Sequence, residues 1–240
     1  TRVRFPYAVD DKEKLKKRAG VHAAGYVENG MKVGLGTGST VKYTILELAR
    51  RIRDENLKIS CVPTSISTER LSIEHNIPLY ELAKLEGLDL VIDGADEFDE
   101  SLTLIKGGGG ALVREKIIAQ ASKTMIVVAD DSKRVPLLGK FPLPVEVIIF
   151  SWEETRRKIS KIIKIPESEI NRRKKQNSEE PMITDNGNYI LDISLGEITN
   201  PQKLESELIK LAGVLDCGLF CGIANIVVMA TPHGIEIIEK

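Results

Sequence analysis

Short strand-like runs alternating with amphipathic stretches through the first half leave few folds open to this chain. Met31 to Leu35, Lys58 to Val62, Leu88 to Ile92 and Met125 to Ala129 have strand length and a largely apolar character, the pattern of strands covered on both faces. Between them, Lys14 to Val27, the series Val41, Ile45, Leu48 and Ile52 ending near Asp54, Ser67 to Asn76, and Ala111 to Ala121 read as helices. Strands that alternate with helices predict βαβ units. The expected fold is α/β and Rossmann-like, with a mainly parallel sheet and helices on both faces.

The second half has a different grammar. Val145 to Phe150 reads as a strand, Trp152 to Ile163 as a helix, Pro181 to Asp185 and Tyr189 to Ser194 as strands, Lys203 to Leu211 as a helix and Val214 to Leu219 as a strand. Asn186-Gly187, between the two middle strands, is a strong hairpin turn signal. The order β-α-β-β-α-β is that of a ferredoxin-like α+β unit, expected at 141–217 and interrupting an α/β catalytic domain made of 1–140 and 218–240. Asn225 to Ala230 and Ile235 to Ile238 are left over as strands that rejoin the first domain. Lys164 to Pro181 carries the basic run Arg172-Arg173-Lys174-Lys175 and later Glu179-Glu180, and reads as a solvated loop.

Charge narrows the partners. Lysine and arginine number 34 against 35 aspartates and glutamates, a net charge of −1, whereas proteins that grip a nucleic-acid backbone carry a marked basic excess. Aromatic residues make up only 5% of the chain, which leaves little to stack bases on, so no nucleic-acid partner is expected. No apolar run approaches the roughly 20 residues of a bilayer span, and Thr1 to Lys17 lacks an apolar signal core. The expectation is a cytoplasmic protein with no membrane partner. The chain starts at Thr1 rather than Met, so a few native residues are expected ahead of it. Three cysteines, Cys61, Cys217 and Cys221, suit a reducing compartment. No second Cys/His pair accompanies Cys217 and Cys221, and His22, His75 and His233 stand alone. The cysteines therefore read as small buried hydrophobes, and no metal site is expected from them.

Three stretches could carry chemistry, each just after an expected strand, where ligands sit in open α/β sheets. In Val33-Gly34-Leu35-Gly36-Thr37-Gly38-Ser39-Thr40, a glycine loop opens a helix and offers backbone N–H groups with the hydroxyls of Thr37, Ser39 and Thr40, a setting that suits phosphate. A P-loop would need a lysine after Gly38. A dinucleotide fingerprint would need a third glycine where Ser39 stands and an acidic end to the second strand, which ends instead in Pro63-Thr64-Ser65. A small phosphorylated ligand is the reading left.

The second stretch is Asp93-Gly94-Ala95-Asp96-Glu97, followed by Asp99 and Glu100. The small residues Gly94 and Ala95 let a tight turn aim Asp93 and Asp96 the same way. Carboxylates would suit magnesium, though nothing else in the chain requires it. The third is Lys106-Gly107-Gly108-Gly109-Gly110-Ala111-Leu112-Val113-Arg114-Glu115-Lys116. Its glycines form a nest of N–H donors opening a helix, and Glu115 lies close enough along that helix to reach back toward the loop. A cation, an N–H nest and a carboxylate beside a phosphate site are the parts for proton transfer next to a carbonyl, with the carboxylate as base and the cation and amides holding an enediolate oxygen.

These blocks, together with Ala129-Asp130-Asp131-Ser132-Lys133 and Leu138-Gly139-Lys140-Phe141-Pro142-Leu143-Pro144-Val145-Glu146-Val147, resemble the signature of the ribose-5-phosphate isomerase A family over nearly the whole chain. The resemblance implies an aldose–ketose isomerase of the non-oxidative pentose phosphate pathway that interconverts ribose 5-phosphate and ribulose 5-phosphate without metal or organic cofactor. It further implies a homo-oligomer, dimer or tetramer. By the same resemblance, Thr37, Gly38, Ser39 and Thr40 would hold the phosphate, with Lys133 and Lys16 as further contacts. Asp93 and Asp96, with Gly94 and Ala95 between them, would contact the sugar and assist ring opening. Lys106 with Gly107, Gly108 and Gly109 would stabilise the enediolate, and Glu115 would move the proton between C1 and C2. Phe98 stands where an aliphatic residue is common in the family, and the loop around 172–175 is longer than in bacterial members.

Two other classes use similar parts. A non-catalytic sugar-phosphate sensor would need a DNA-reading module, and no helix-turn-helix with a basic surface precedes residue 30. A CoA transferase of related fold would use a glutamate as nucleophile, and an amino-sugar phosphate deaminase would place a histidine near the three blocks, where none stands.

Overall fold

The computed structural model describes residues 9–240; the first eight residues of the stretch screened for a signal core lie outside the described residues. In chain order the first half runs α1 (Val9–Ala24), β1 (Lys32–Leu35), α2 (Val41–Glu55), β2 (Ser60–Pro63), α3 (Ile66–Glu74), β3 (Leu88–Gly94), the two-residue strands β4 (Glu97–Phe98) and β5 (Leu104–Ile105), α4 (Leu112–Gln120) and β6 (Ser122–Asp130). The second half adds β7 (Leu143–Val147), α5 (Trp152–Ile163), β8 (Ile170–Arg172), β9 (Tyr189–Ile193), α6 (Pro201–Leu208), β10 (Val214–Cys217), β11 (Leu219–Phe220), β12 (Ile226–Thr231) and β13 (Gly234–Glu239).

The main sheet has six strands in the order β13-β12-β6-β3-β1-β2. Every neighbouring pair is parallel except β12 with β13. Side chains alternate across it, as the pleat requires. Leu90, Ile92, Ile126 and Val128 face a core closed by α1 and α2 through Leu15, Ala19, Ala23, Val41, Ile45 and Leu48. Their neighbours Val91, Met125 and Val127 face the opposite core, which Ile118 and Ala119 of α4 help to close. Both faces are thus covered, which is why the strands read as apolar runs. No helix among the described residues is long and apolar enough to cross a membrane.

A second sheet of four strands, all antiparallel, has the order β10-β7-β9-β8, the strand arrangement of the ferredoxin-like unit. Its core includes Val145, Val147, Ile159, Leu191, Ile193 and Leu208, contributed in part by α5 and α6. One expectation needs correction: Pro181 to Asp185 is not a strand. Pro181 makes an isolated bridge to Lys174, and the second strand is instead Ile170–Arg172, within the stretch expected to be loop. Ile170 is fully buried against the sheet's core, a tertiary contact that outweighs the charged character of its neighbours. The Asn186-Gly187 turn does form, with Gly187 at φ +80° and Gly187 N–H donating to Thr184 O, but only its C-terminal arm enters the sheet.

A small antiparallel sheet, β11-β5-β4, joins the two halves. The strand expected over Val214 to Leu219 therefore splits: β10 stays with the four-stranded sheet and β11 crosses to pair with β5. This crossing fixes Lys106, whose N–H donates to Gly218 O at 2.8 Å.

Candidate active site

The loops that follow β1, β3, β5 and β6 converge at one end of the main sheet. They enclose a cavity of about 180 Å³ lined by Lys16, Thr37, Gly38, Ser39, Thr40, Gly94, Ala95, Asp96, Lys106, Gly107, Gly108, Gly109, Glu115 and Lys133. Pockets for drug-sized ligands run to roughly 300–1,000 Å³, so this one suits a small ligand. Of the adjacent Lys16 and Lys17, Lys16 faces the cavity, while Lys17 lies along a separate groove with Arg18 and Val21.

The glycine loop after β1 is fixed from beneath. Thr37 Oγ1 donates to Ser65 Oγ at 2.7 Å and lies 2.7 Å from Thr64 Oγ1 and 3.2 Å from Thr68 Oγ1. Thr68 Oγ1 in turn donates to Gly36 O, and the Thr37 N–H donates to Asp93 Oδ1 at 3.0 Å. Both donors of Thr37 are therefore spent inside the protein, which leaves Gly38, Ser39 and Thr40 to present the loop's free surface. Ser65 also caps α3 by accepting from Thr68 N. Only the hydroxyl pair Thr64-Ser65 at the end of β2 signals this support in the sequence; Thr68 carries no local signal.

Close approach explains Gly36. A β-carbon at this position would sit 2.2 Å from Asp93 Oδ1 and 2.6 Å from its Cα, so Gly36→Ala must push β1 and β3 apart. That overpacking is expected to lower stability by about 3 kcal/mol, read from denaturant melts. A wild-type midpoint would contradict the contact.

Asp93, expected to touch the sugar, lies beneath the cavity rather than on its wall and is 1% exposed. Its Oδ1 accepts from the N–H groups of Thr37 and Gly94, and its Oδ2 lies 3.0 Å from Lys106 Nζ. Lys106 is equally buried. Its Nζ donates to Gly94 O at 2.6 Å, lies 3.4 Å from Glu115 Oε1 and sits 5.4 Å from the centre of the Phe220 ring. Glu115 comes from the first turns of α4, and its Oε2 is buried with no hydrogen-bond partner among the described residues. Asp96, on the cavity wall, accepts from Gly108 N at 2.7 Å through Oδ2. The other acids of the second block serve the scaffold. Glu97 accepts from the N–H groups of Gly139 and Phe141, and Asp99 caps a turn at Ser101 and Thr103.

Two carboxyls and one ammonium thus share a buried space. Burial pushes the Glu115 carboxyl up to about 8, aided by the Asp93 charge and opposed by Lys106. Burial also raises Asp93 above the ordinary carboxylate range, against the pull of Lys106 and the N–H groups of Gly94 and Thr37. Burial draws Lys106 down, but Asp93 and Glu115 together hold it above its usual value, so its charge persists. The arrangement supplies a carboxylate with an unpartnered oxygen, a fixed cation and a glycine backbone whose Gly108 and Gly110 N–H groups are already bonded to Asp96 and Gly107 O. Neighbouring residues of the third block serve elsewhere: Arg114 donates to Asp185 O and Asn186 Oδ1, and Lys116 to Glu205, Asp216 and the Cys217 carbonyl. Glu205, Asp216 and Cys217 are the group among the described residues spaced to hold an ion, and the Lys116 ammonium already reaches it.

The chain matches the family described as Ribose 5-phosphate isomerase A (phosphoriboisomerase A) over residues 60–234. It is 46% identical over 229 residues to ribose-5-phosphate isomerase A 1 of Oceanobacillus iheyensis, covering 95% of this chain and 100% of the relative. The chain belongs to the ribose-5-phosphate isomerase A family. Its identity to the Bacillus mycoides member is 48% over 223 residues, covering 92% and 98% of the two chains. Among solved structures, that of ribose 5-phosphate isomerase A from Methanocaldococcus jannaschii superposes with a TM-score of 0.89 at 38% identity, covering 95% of this chain and 100% of the other. A D-ribose-5-phosphate isomerase in complex with phospho-erythronic acid superposes with a TM-score of 0.90 at 39% identity, covering 95% and 99%. Coverage this complete means that the family fold spans both the parallel sheet and the ferredoxin-like one.

Proposed function

We propose that this chain interconverts D-ribose 5-phosphate and D-ribulose 5-phosphate, with Glu115 as the base. The observation that carries the reading is the unpartnered Glu115 Oε2, buried on the wall of a small cavity and 3.4 Å, through its sister oxygen, from the Lys106 ammonium. In the open-chain aldose, Glu115 takes the proton from C2. The electrons of that C–H bond form the C1–C2 double bond, and the carbonyl electrons move to O1. Lys106 and the N–H groups of the glycine run offset the charge on the enediolate oxygens. Transfer of the O2–H proton toward O1 and return of the carbon proton from Glu115 to C1 give the ketose, so no atom is gained or lost. Gly38, Ser39 and Thr40 hold the phosphate at the start of α2, with Lys16 and Lys133 as flanking cations. Asp96 contacts the sugar hydroxyls and assists ring opening. Asp93 acts from beneath, by holding Lys106 and keeping Glu115 a strong base.

Purified protein incubated with ribose 5-phosphate is expected to yield ribulose 5-phosphate; no turnover would end this reading. Its pH dependence follows from Glu115, which must be ionised to act and whose free-enzyme pKa is raised to about 8. Below that value kcat/KM is expected to fall by about tenfold per pH unit. A flat profile from about pH 6 to 9 would assign the base elsewhere.

The same proposal places residues 1–140 and 218–240 in the catalytic domain and 141–217 in a smaller one. It also takes the chain to be cytoplasmic and a homo-oligomer, dimer or tetramer. Phe150, 82% exposed beside the exposed Ile148 and Ile149, supports the assembly; sedimentation equilibrium measures it.

A further inference from the structure

The basic run 172–175 looks like a solvated face in the sequence, yet Arg173 is drawn inward. Its Nε donates to Asp192 Oδ2 at 2.8 Å and its Nη2 to Asp192 Oδ1, a two-pronged pair across to β9. Its remaining terminal nitrogen, Nη1, donates to Gly107 O at 2.7 Å and to Gly108 O at 3.1 Å. These carbonyls belong to the glycine run that walls the cavity. The segment after Arg173 follows it down. Met182 N donates to Arg173 O, and the Met182 side chain packs so close to Gly110 that a β-carbon there would lie 2.2 Å from its Cε.

A trans peptide points its C=O and the following N–H in opposite directions. Pinning the carbonyls of Gly107 and Gly108 from one side therefore aims the N–H groups of Gly108 and Gly109 to the other. The first of these is already accepted by Asp96 Oδ2 at 2.7 Å, and Gly109 lines the cavity. Consecutive glycines have the greatest backbone freedom of any sequence. Gly110 N–H closes a turn onto Gly107 O and Asp96 holds the Gly108 N–H. Arg173 adds the grip on the carbonyl side that narrows the remaining orientations of those dipoles. Donors preset toward developing charge require no reorganisation when the charge appears.

We propose that Arg173, held by Asp192, is a positioning residue for the isomerisation: it fixes the 107–109 peptides so that their N–H groups face Asp96 and the enediolate. It touches no substrate. Its hydrogen bonds go to Asp192, Gly107 and Gly108, and none goes to the phosphate loop after β1. This inference rests on the isomerase reading given above.

The test is steady-state kinetics with ribose 5-phosphate on wild type, Arg173→Ala, Arg173→Lys and Asp192→Asn, with melting curves and added guanidinium ion. Arg173→Ala is expected to lose on the order of 10–10²-fold in kcat while KM stays within about threefold, because donors aimed at the transition state are disturbed and phosphate binding is not. Guanidinium should restore part of that kcat in Arg173→Ala and none in wild type. Arg173→Lys, a single ammonium that cannot pair with Asp192 through two prongs while gripping both carbonyls, should fall between. Asp192→Asn should show a smaller kcat loss in the same direction. Wild-type kcat in Arg173→Ala, or a rise in KM at unchanged kcat, would overturn the proposal. So would a loss of activity matched by the unfolded fraction and insensitive to guanidinium, which marks a purely structural residue. Should Arg173→Ala not fold, the kcat–KM split in Arg173→Lys decides on the same criteria. An active wild type with unaffected variants refutes the clamp alone; an inactive wild type refutes the isomerase reading and the clamp with it.

Discussion

Replacing Glu115 by glutamine will lower kcat on the order of 10²–10⁴-fold while KM for ribose 5-phosphate stays within about threefold. Glutamine keeps the shape and one acceptor of the carboxylate but cannot take up a proton. The groups proposed to hold the phosphate, at Gly38 to Thr40, stand on another element and are untouched. The same variant carries a second signature, in stability. In the unfolded chain a glutamate titrates at roughly 4.3, whereas burial holds the folded Glu115 near 8. The folded state therefore binds this proton more tightly than the unfolded one. Stability is full at pH below the ordinary carboxylate range and is lost as pH climbs through that window toward 8. Glu115→Gln removes this loss, so it should melt above wild type in alkaline buffer, with the gap closing toward about pH 5. A variant with near-wild-type turnover would sink the assignment of the base. One that is inactive but melts below wild type at every pH would mean that the lost activity reflects damage to the fold.

How much of this was legible depends on the range over which each interaction acts. The strands β1, β3 and β6 were readable because each is buried on both faces, which imprints a local apolar run. The blocks at 36–40, 93–97 and 106–116 were readable because each combines a strand end with glycines that a helix or strand interior would not favour. What a side chain does inside a block was less accessible. Thr37 looks like a phosphate donor, but its hydroxyl is taken by Thr64, Ser65 and Thr68, 27 to 31 residues away in sequence. Asp93 and Asp96 look like a matched pair, but the first lies in β3 beneath the cavity and the turn after β3 carries the second onto its wall. Spacing brings Lys106 and Glu115 together, while the raised pKa that makes Glu115 a strong base comes from a burial no spacing reveals. The second half was harder. Asn186-Gly187 marks a true turn, yet the arm before it packs on the glycine run instead of entering the sheet. Arg173 sits in a charge run whose neighbours, Lys174 and Lys175, pair with Glu179 and Glu180 within the loop. Nothing local distinguishes it from them; only Asp192 and the Gly107 carbonyl, brought close by the fold, do.

A net charge of −1 conceals the concentration of charge at the site, and removing Lys106 exposes it. Lys106→Met keeps the length and apolar stem of the side chain but leaves Asp93 and Glu115 buried with no counter-charge within contact among the described residues. Breaking a buried pair by removing one partner costs about 3–5 kcal/mol, and losing the cation that faces the enediolate lowers kcat on the order of 10²–10³-fold. The stability loss should depend on pH in a direction fixed by linkage. Without Lys106 both carboxyls are held still further above their unfolded pKa values, so the folded state binds more protons than the unfolded one. The variant is then close to wild type where both carboxyls are protonated and falls behind as pH rises through neutrality. An equal loss at all pH values would point to packing rather than charge. Adding Asp93→Asn to Lys106→Met separates the two roles of the lysine, since it removes one of the stranded charges without replacing the cation. The double variant should recover much of the alkaline stability, a coupling of the size seen between residues in direct contact, about 0.5–3 kcal/mol, and it should remain as inactive as Lys106→Met. Recovered activity in the double variant would mean that Lys106 serves only to neutralise Asp93, and that the enediolate is held by the glycine N–H groups alone.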